Sequence, residues 1–227
     1  MAVGWTEITN DNVEYLEKVF KLYDQTFPKE VRESHETFYK SIQYSQNSFP
    51  NTFRFLVGIE NEQVVSFATG HYLAGVNSGF IVYIVTNPLI RSHGLGAKTL
   101  NQLEELLNED AKRAGYESIN SIILETETIE MVHTEQEKED CVKRNNFFNR
   151  NGYKRLNVKY MQPPLHNDEH SIPLNLFVKN RNGKEINKKT INDSIFAIYN
   201  EKYNSVNQID KTILNNCLVE MGIRNLD

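Results

Sequence analysis

The first residues whose types and spacing could do chemistry are two glycines in the stretch TNPLIRSHGLGAKTL, residues 86–100. Gly94 and Gly96 lie between an apolar run and the start of a helical pattern. The first N–H groups of a helix have no partner within the helix and carry the positive end of its dipole. Because glycine has no Cβ, such amides can converge on an anion, and Arg91 and Lys98 add positive charge on either side. The stretch therefore predicts either a phosphate-binding turn or only a tight corner between a strand and a helix.

Two common phosphate-binding motifs are excluded by the same residues. The sequence contains no GxxxxGK[ST], so it has no P-loop. The dinucleotide fingerprint GxGxxG also fails, because Thr99 stands where its third glycine would be. A nucleotide-binding enzyme that uses the Gly94–Gly96 turn for another phosphate remains an alternative.

A second candidate for chemistry is the pair of carboxylates in SIILETE, residues 121–127. Side chains alternate across a strand, so Glu125 and Glu127 share one face while Leu124 and Thr126 share the other. Carboxylates are costly inside a buried strand unless they are paired or used, and a glutamate can act as a general base. The alternatives are a general base at Glu125 or Glu127, or a strand end that faces solvent or pairs with a lysine.

Composition limits the class of protein that has to position these residues. The 227 residues are 39% hydrophobic and 24% charged, which is ordinary for a soluble globular protein. A net charge of -5 argues against a dedicated nucleic-acid binder. The longest apolar run is too short to span a membrane, and Cys141 and Cys217 form no metal-type pair. We expect a cytoplasmic protein that binds no nucleic acid, membrane or metal.

The hydrophobic periodicity predicts interleaved strands and helices, hence an α/β (α+β) fold with a mixed sheet flanked by helices. An initial strand is followed by helices over 12–27 and 36–44, the first capped by Asn10 or Asp11. The remaining predicted strands cover 53–59, 64–72, 79–86, 121–126, 154–161 and 172–178, and the remaining helices 95–114, 142–151 and two stretches after residue 187. The polar run NRNGKEINKK marks a boundary, so we expect a domain over 1–180 and a helical C-terminal segment over 181–227.

Two motifs in this order resemble a known family. Arg91-Ser92-His93-Gly94-Leu95-Gly96 matches the R/Q-x-x-G-x-G/A signature of the GCN5-related N-acetyltransferases (GNAT), with the strand IVYIVT before it and an amphipathic helix after it. About fifty residues later, FFNRNGY (147–153) resembles the FYxKxGF segment of the family. The resemblance covers roughly residues 5–178 and implies a GNAT-like, mostly antiparallel central sheet.

The resemblance implies that acetyl-CoA is the co-substrate. Its pyrophosphate would lie on the glycine turn, its pantetheine arm along the end of the preceding strand, and Phe148 would pack against that arm or the core. The implied cofactor-binding residues are Val85, Thr86, Arg91, Ser92, His93, Gly94, Leu95, Gly96, Ala97, Lys98 and Phe148. Leu124-Glu125-Thr126 is similar to the segment in which some members carry a glutamate base, which makes Glu125, and after it Glu127, the candidate catalytic residues.

The sequence departs from the family pattern at the position of the general acid. Many members have a tyrosine where this chain has Phe148, which cannot donate a proton. Three explanations are open. The thiolate leaves unaided, Tyr83, Tyr153 or Tyr160 substitutes, or the domain binds acyl-CoA without turnover.

The resemblance implies transfer of an acetyl group to a primary amine by direct attack in a ternary complex.

Residues 125–140 hold seven acidic residues against Lys138 and look like an insertion. They are either a solvated loop or exposed helix, or a negative rim that attracts a cationic acceptor through Glu130 or Glu135. The acceptor would be polyamine-like, aminoglycoside-like or a peptide amino group, and its pocket would be bordered by the first helices, which carry Tyr23, Phe27, Phe38, Tyr39, Glu30, Arg32 and Glu33.

The C-terminal segment would cover the active site, form a homodimer contact or pack on the sheet. The alternative function is a non-catalytic acyl-CoA-binding or protein-interaction module.

Overall fold

The structure is a computed structural model, and it describes residues 3–27, 32–90, 94–166, 170–183 and 186–226. The chain forms two compact units, the N-terminal unit (residues 1–119) and the C-terminal unit (residues 120–227). The prediction of mostly antiparallel strands flanked by helices is confirmed in the pairings within both units. The separate boundary expected at residue 180 stays a prediction.

The N-terminal unit is built on four antiparallel strands. The strands are β1 (Gly4–Glu7), β2 (Thr52–Glu60), β3 (Gln63–Leu73) and β4 (Ser78–Thr86). Each pairs with the next one along the chain. The strands predicted over 53–59 and 64–72 are therefore confirmed as the antiparallel hairpin β2–β3, whose turn has Asn61 and Glu62 in left-handed conformations.

Three helices complete this unit: α1 (Leu16–Thr26), α2 (His35–Asn47) and α3 (Leu95–Arg113). The apolar faces of α1 and α2 join side chains of β2, β3 and β4 in an aromatic core that includes Phe20, Tyr23, Phe38, Phe55 and Phe67. Helix α3 packs closely on β3 at Gly70. A Cβ added to this glycine would lie 3.4 Å from the Leu103 side chain and 3.5 Å from the Leu107 side chain of the helix. The helix ends at Arg113, one residue before the predicted end, and Gly115 just beyond its C-cap has a φ of 93°, which suits glycine.

The C-terminal unit has a central antiparallel pair. Strand β5 (Ser121–Glu127) pairs along its whole length with β8 (Ile172–Asn180). The short strands β6 (Lys154–Arg155) and β7 (Met161–Gln162) also pair with β8. Helix α4 (Glu135–Arg150) precedes β6, and the C-terminal segment contains α5 (Lys188–Ile198), a π-helical turn (Tyr199–Val206) and α6 (Lys211–Glu220).

Three element predictions are wrong at their boundaries. The first helix begins at Leu16 and not at residue 12, because Thr9 and Asn12 pair through their main chains and Val13 is exposed. Helix α4 begins at Glu135, seven residues before the predicted start, since Thr134 and Glu137 form a capping box. The strand predicted over 154–161 is interrupted. Its ends still bond to β8 through Leu156 N–H and the Tyr160 carbonyl, while the residues between leave the ladder.

The buried carboxylate of Asp110 on α3 joins three parts of the N-terminal unit. Arg54 of β2 donates to it from Nε at 2.8 Å and from Nη2 at 2.7 Å, and the Thr52 hydroxyl donates at 2.6 Å. Arg113 also donates, but its side chain is 57% exposed while that of Asp110 is fully buried. Arg54 contacts Glu7 of β1 as well.

We expect Asp110→Ala to lower the free energy of unfolding by about 3 kcal/mol, because it leaves a partly buried guanidinium without its bidentate partner. The measurement is urea unfolding followed by circular dichroism. Arg113→Ala is the matched control and should cost less than about 1 kcal/mol, as exposed ion pairs do. Equal losses in the two variants would contradict this assignment.

Candidate active site

In the N-terminal unit, the end of β4 leads into the glycine turn. Val85 is buried and pairs with Phe67, and the partly exposed Thr86 pairs with Ser66. Asn87 then donates its N–H to the Val65 carbonyl at 2.8 Å, and its side-chain oxygen accepts from the Leu89 N–H at 2.9 Å. The chain therefore turns immediately after β4. Arg91, Ser92 and His93 lie outside the described residues.

The helix N-terminus that could meet an anion is set by Gly94. This residue is the N-cap of α3 with φ of 80°, a left-handed conformation that a side chain would strain. A Cβ added there would meet nothing within 4 Å, so backbone conformation and not crowding requires the glycine. The Gly94 carbonyl accepts from the Lys98 N–H at 3.0 Å and closes the first turn.

The other candidate cofactor residues of this turn are in the first turn of α3. Leu95 is buried, whereas Gly96 and Ala97 are partly exposed. The helix is fixed to the sheet just beyond them, because the Thr99 hydroxyl lies 2.9 Å from that of Ser66 on β3. The N–H groups at the start of α3 are thus held rigidly at one end of β3 and β4.

In the C-terminal unit, the Glu125 carboxylate lies in a cluster of hydroxyl and amide donors. Tyr160 donates its hydroxyl to Oε1, and Tyr203 lies 3.0 Å from Oε1 and 3.2 Å from Oε2. The Gln162 amide donates to Oε2 at 3.2 Å. We call these four residues the Glu125 cluster. A strand carboxylate with three such donors is not a frayed strand end.

Two members of the cluster were missed in the sequence. Gln162 is the second residue of β7, just after the irregular stretch, and Tyr203 lies 78 residues after Glu125. Neither belongs to a motif. Tyr203 lies four residues after Tyr199, and this helical spacing of two tyrosines is the signal that the sequence offers for it.

Glu127 has a different environment from that of Glu125. Its carboxylate accepts from Arg144 of α4 at 2.5 Å, and the thiol of Cys141 on the same helix contacts its main-chain oxygen. The neighbouring Thr126 hydroxyl donates to Asn145 at 3.1 Å. The two predicted catalytic carboxylates are therefore not brought into one cluster.

Phe148 is a core residue of the C-terminal unit. It is 4% exposed, and its ring packs against those of Phe147, Tyr153 and Phe177 at centroid distances of 5.2, 5.8 and 6.2 Å. The sequence predicts that Phe148 packs against either the pantetheine arm or the core, and these contacts show packing in the core.

The tyrosines considered as substitutes for the missing acid are all buried. The Tyr83 hydroxyl lies 3.0 Å from that of Tyr23 and accepts from the Glu33 N–H at 3.3 Å. Burial, followed by the nearby Glu33 charge, raises the pKa of Tyr83 well above its usual value. Burial and then the Glu125 charge do the same to the pKa of Tyr160. High pKa values keep both hydroxyls protonated, which suits hydrogen-bond donors better than acids at neutral pH.

The first helices contribute mainly to the core. Tyr23 and Phe38 are buried, Phe27 is partly buried, and Tyr39 is exposed. Arg32 pairs with Asp24 at 3.1 Å, and Glu33 is buried. Glu30 lies outside the described residues.

The acidic stretch is mostly satisfied by local partners. Glu137 caps α4 by accepting from the N–H groups of His133 and Thr134, which lower its pKa. Glu139 and Asp140 both contact Lys143, and Glu135 contacts Lys138. The expected alternative of an exposed helix is therefore correct from Glu135 onward.

Neither a metal centre nor a membrane-spanning helix is found in the parts of the chain that the structure describes. Among those residues, no three His, Cys, Asp or Glu side chains are grouped so that they could hold a metal ion. The described helices are also too short or too polar to cross a bilayer.

We expect Phe148→Tyr to destabilise the protein by about 1–3 kcal/mol, because it places a hydroxyl among aromatic rings. Phe147→Tyr is the matched control, since this neighbouring ring is only partly buried and its hydroxyl can reach water. Thermal unfolding of the two variants measures the difference. A Phe148→Tyr variant as stable as its control would mean that the hydroxyl finds a partner at this position.

Comparison with known proteins identifies the same family as the two motifs. The family model described as the acetyltransferase (GNAT) family matches residues 16–128. No curated protein sequence matches significantly. Solved structures match at the level of the fold. A GNAT-family protein from Bacteroides thetaiotaomicron is 21% identical, with a TM-score of 0.63 over 86% of this chain and 96% of that one.

Two further structures were determined with coenzyme A. The PaiA N-acetyltransferase from Thermoplasma acidophilum is 16% identical, with a TM-score of 0.50 over 80% of this chain and all of that chain (100%). An aminoglycoside 6'-N-acetyltransferase is 15% identical, with a TM-score of 0.52 over 81% of this chain and 99% of that one. From the family model and the fold, we conclude that residues 16–128 of the chain form a domain of the acetyltransferase (GNAT) family.

Proposed function

We propose that the protein transfers an acetyl group from acetyl-CoA to a primary amine, with Glu125 as the general base. The observation that carries the proposal is the Glu125 carboxylate, which three side-chain donors hold in a fixed place on a family scaffold. A general base must be kept within reach of the proton that it removes. Burial of the tyrosines around it, Tyr160 and Tyr203, supports such a fixed geometry.

The reaction needs one proton transfer to begin. The amine nitrogen attacks the thioester carbonyl, a C–N bond forms and the C–S bond breaks. The proton lost by nitrogen passes to the Glu125 carboxylate, and coenzyme A leaves as the thiolate. Since Phe148 is apolar and the hydroxyls of Tyr83 and Tyr160 are already bonded to Tyr23 and Glu125, respectively, we assign no protein acid to the thiolate, which takes its proton from water.

The glycine turn is the proposed site of the acetyl-CoA pyrophosphate. Two structures of the same fold contain coenzyme A, and the first N–H groups of α3, placed by Gly94, are the chemistry that an anionic pyrophosphate requires. Arg91, Ser92 and His93 extend this site by resemblance to the family signature. Lys98 adds a positive charge one turn into the helix.

The acceptor class follows from the reaction and not from the acidic stretch. One structure of this fold is an aminoglycoside N-acetyltransferase, so an amino sugar is one class to test, beside a polyamine and a lysine-bearing peptide. The carboxylates of α4 mostly have cationic or capping partners, which weakens the case for a negative rim as the recognition element.

The second candidate function is a non-catalytic acyl-CoA-binding module. The buried Phe148 favours it, because the position of the acid holds a core residue. Measurement of free thiol release with the three classes of amine separates the two functions. Saturable binding of acetyl-CoA without thiol release for any amine would favour the module.

We expect calorimetric titration to detect saturable binding of acetyl-CoA and none of ATP. Gly96→Glu should weaken acetyl-CoA binding at least tenfold, because it puts a carboxylate beside the pyrophosphate at the N-terminus of α3. Gly75→Glu is the matched control. It adds the same charge at an exposed glycine whose surroundings are open, and it should bind acetyl-CoA as the unmodified protein does. Unchanged affinity in Gly96→Glu would refute the cofactor assignment.

We expect Glu125→Gln to lower kcat by roughly 10²–10⁴-fold, the usual contribution of a general base. Its affinity for acetyl-CoA should stay within about twofold. Glu220→Gln is the control, since it removes a carboxylate of the same unit that forms an ion pair with the exposed Lys159. Glu127→Gln decides between the two candidates, because a larger loss there than in Glu125→Gln would transfer the role of base to Glu127.

A further inference from the structure

The segment after α5 has an unusual backbone. From Tyr199 to Val206 the chain forms a π-helical turn, in which the Asn207 N–H donates to the Lys202 carbonyl five residues back at 2.9 Å. π-helical turns are rare and occur frequently at functional sites. Two tyrosines, Tyr199 and Tyr203, project from this turn and are both buried. The turn brings both tyrosine side chains to the strands of its unit.

The two tyrosines have different partners. The Tyr199 hydroxyl donates to the main-chain carbonyl of Met161 on β7. The Tyr203 hydroxyl contacts both oxygens of Glu125 and lies 3.4 Å from the Gln162 amide nitrogen. Their rings pack edge to face with centroids 5.4 Å apart. One tyrosine therefore supports the backbone, while the other contacts the candidate base directly.

We propose that Tyr203, which is contributed by the C-terminal segment, is a positioning residue that holds the Glu125 carboxylate in its charged form and in one orientation. The inference rests on the proposed function, in which Glu125 is the base, and it extends that function to a residue outside the family motifs. Tyr203 touches both carboxylate oxygens, so loss of its hydroxyl removes an orienting contact as well as a donor.

The sign of the effect follows from the hydrogen bonds. Donors to a charged carboxylate favour the charged form, so removal of one donor makes the carboxylate take up a proton at higher pH. The groups around Glu125 are consistent with this direction. Among the described residues they include Tyr160 and Gln162 of the stretch around β7, Tyr199 and Tyr203 of the π-helical turn, and the apolar Leu176 opposite on β8. The turn also carries the buried Lys202, and the charge of Arg144 on α4 is paired with Glu127.

The test compares Tyr203→Phe with Tyr199→Phe in the full-length chain, with kcat/KM measured from pH 5 to pH 9. Both variants lose one buried hydroxyl on the same turn, but only Tyr203→Phe loses a contact with Glu125. We expect the acidic limb of the profile to move up by about one pH unit in Tyr203→Phe, which is roughly a tenfold loss of rate on that limb. Tyr199→Phe should keep the original limb, and both variants should bind acetyl-CoA as before.

A second variant covers the case in which Tyr203→Phe does not fold. Incorporation of 3-fluorotyrosine at position 203 keeps the size of the ring and makes the hydroxyl a stronger donor. The acidic limb should then move to lower pH, opposite to the effect of phenylalanine. A purely structural role for Tyr203 would not produce shifts of opposite sign.

The outcomes distinguish this inference from the function on which it rests. If Glu125→Gln keeps full activity, the assignment of the base fails. If Glu125→Gln is inactive while the Tyr203→Phe profile coincides with that of Tyr199→Phe, the base stands and the positioning role of Tyr203 is refuted. A shifted limb in both tyrosine variants would also refute it, since the effect would then belong to the turn as a whole.

Discussion

A charged carboxylate placed in a mostly buried strand must be given hydrogen-bond donors, and this constraint organises the C-terminal unit. Residues 121–124 of β5 are buried and Glu125 is partly buried, so its carboxylate has limited access to bulk water. The donors come instead from two other segments, the stretch around β7 and the π-helical turn. Two features of the unit supply these donors. The strand is interrupted between Arg155 and Met161, which places Tyr160 and Gln162 beside Glu125, and the helical segment after β8 places Tyr203 there. A buried carboxylate without such partners would be expected to exchange its charge for a proton.

In the N-terminal unit, the groups that must be positioned are main-chain N–H groups of a helix and not a side chain. Here the decisive constraint is the left-handed backbone of Gly94, which only glycine adopts without strain. The close packing of α3 on Gly70 and the contact between Thr99 and Ser66 fix the helix behind that turn. The candidate groups of the two units thus differ in kind, with main-chain N–H donors in the N-terminal unit and a titratable side chain in the C-terminal unit.

The sequence predicts well the strands and helices whose apolar residues recur with a regular period. The β2–β3 hairpin, helix α3 with its Gly115 end and the core strand β5 follow from alternation and helical spacing within a few residues. Helix α4 was placed too late because its first turns are polar and expose their side chains, although Thr134 and Glu137 already carried the capping-box pattern. The donors to Glu125 could not be predicted, since they lie 35, 37 and 78 residues away in sequence and belong to no motif.

Because Tyr203 lies 78 residues after Glu125, the ribosome synthesises this donor long after the carboxylate that it contacts. In the N-terminal unit, each strand pairs with the one before it, so this unit can fold as soon as it has been synthesised. The C-terminal unit pairs β5 with β8 and then needs the π-helical turn, and such non-local contacts form slowly. A nascent chain halted before residue 203 carries the Glu125 carboxylate without one of its donors. The ribosome therefore finishes the half that is proposed to hold the cofactor well before the half that is proposed to do the proton chemistry.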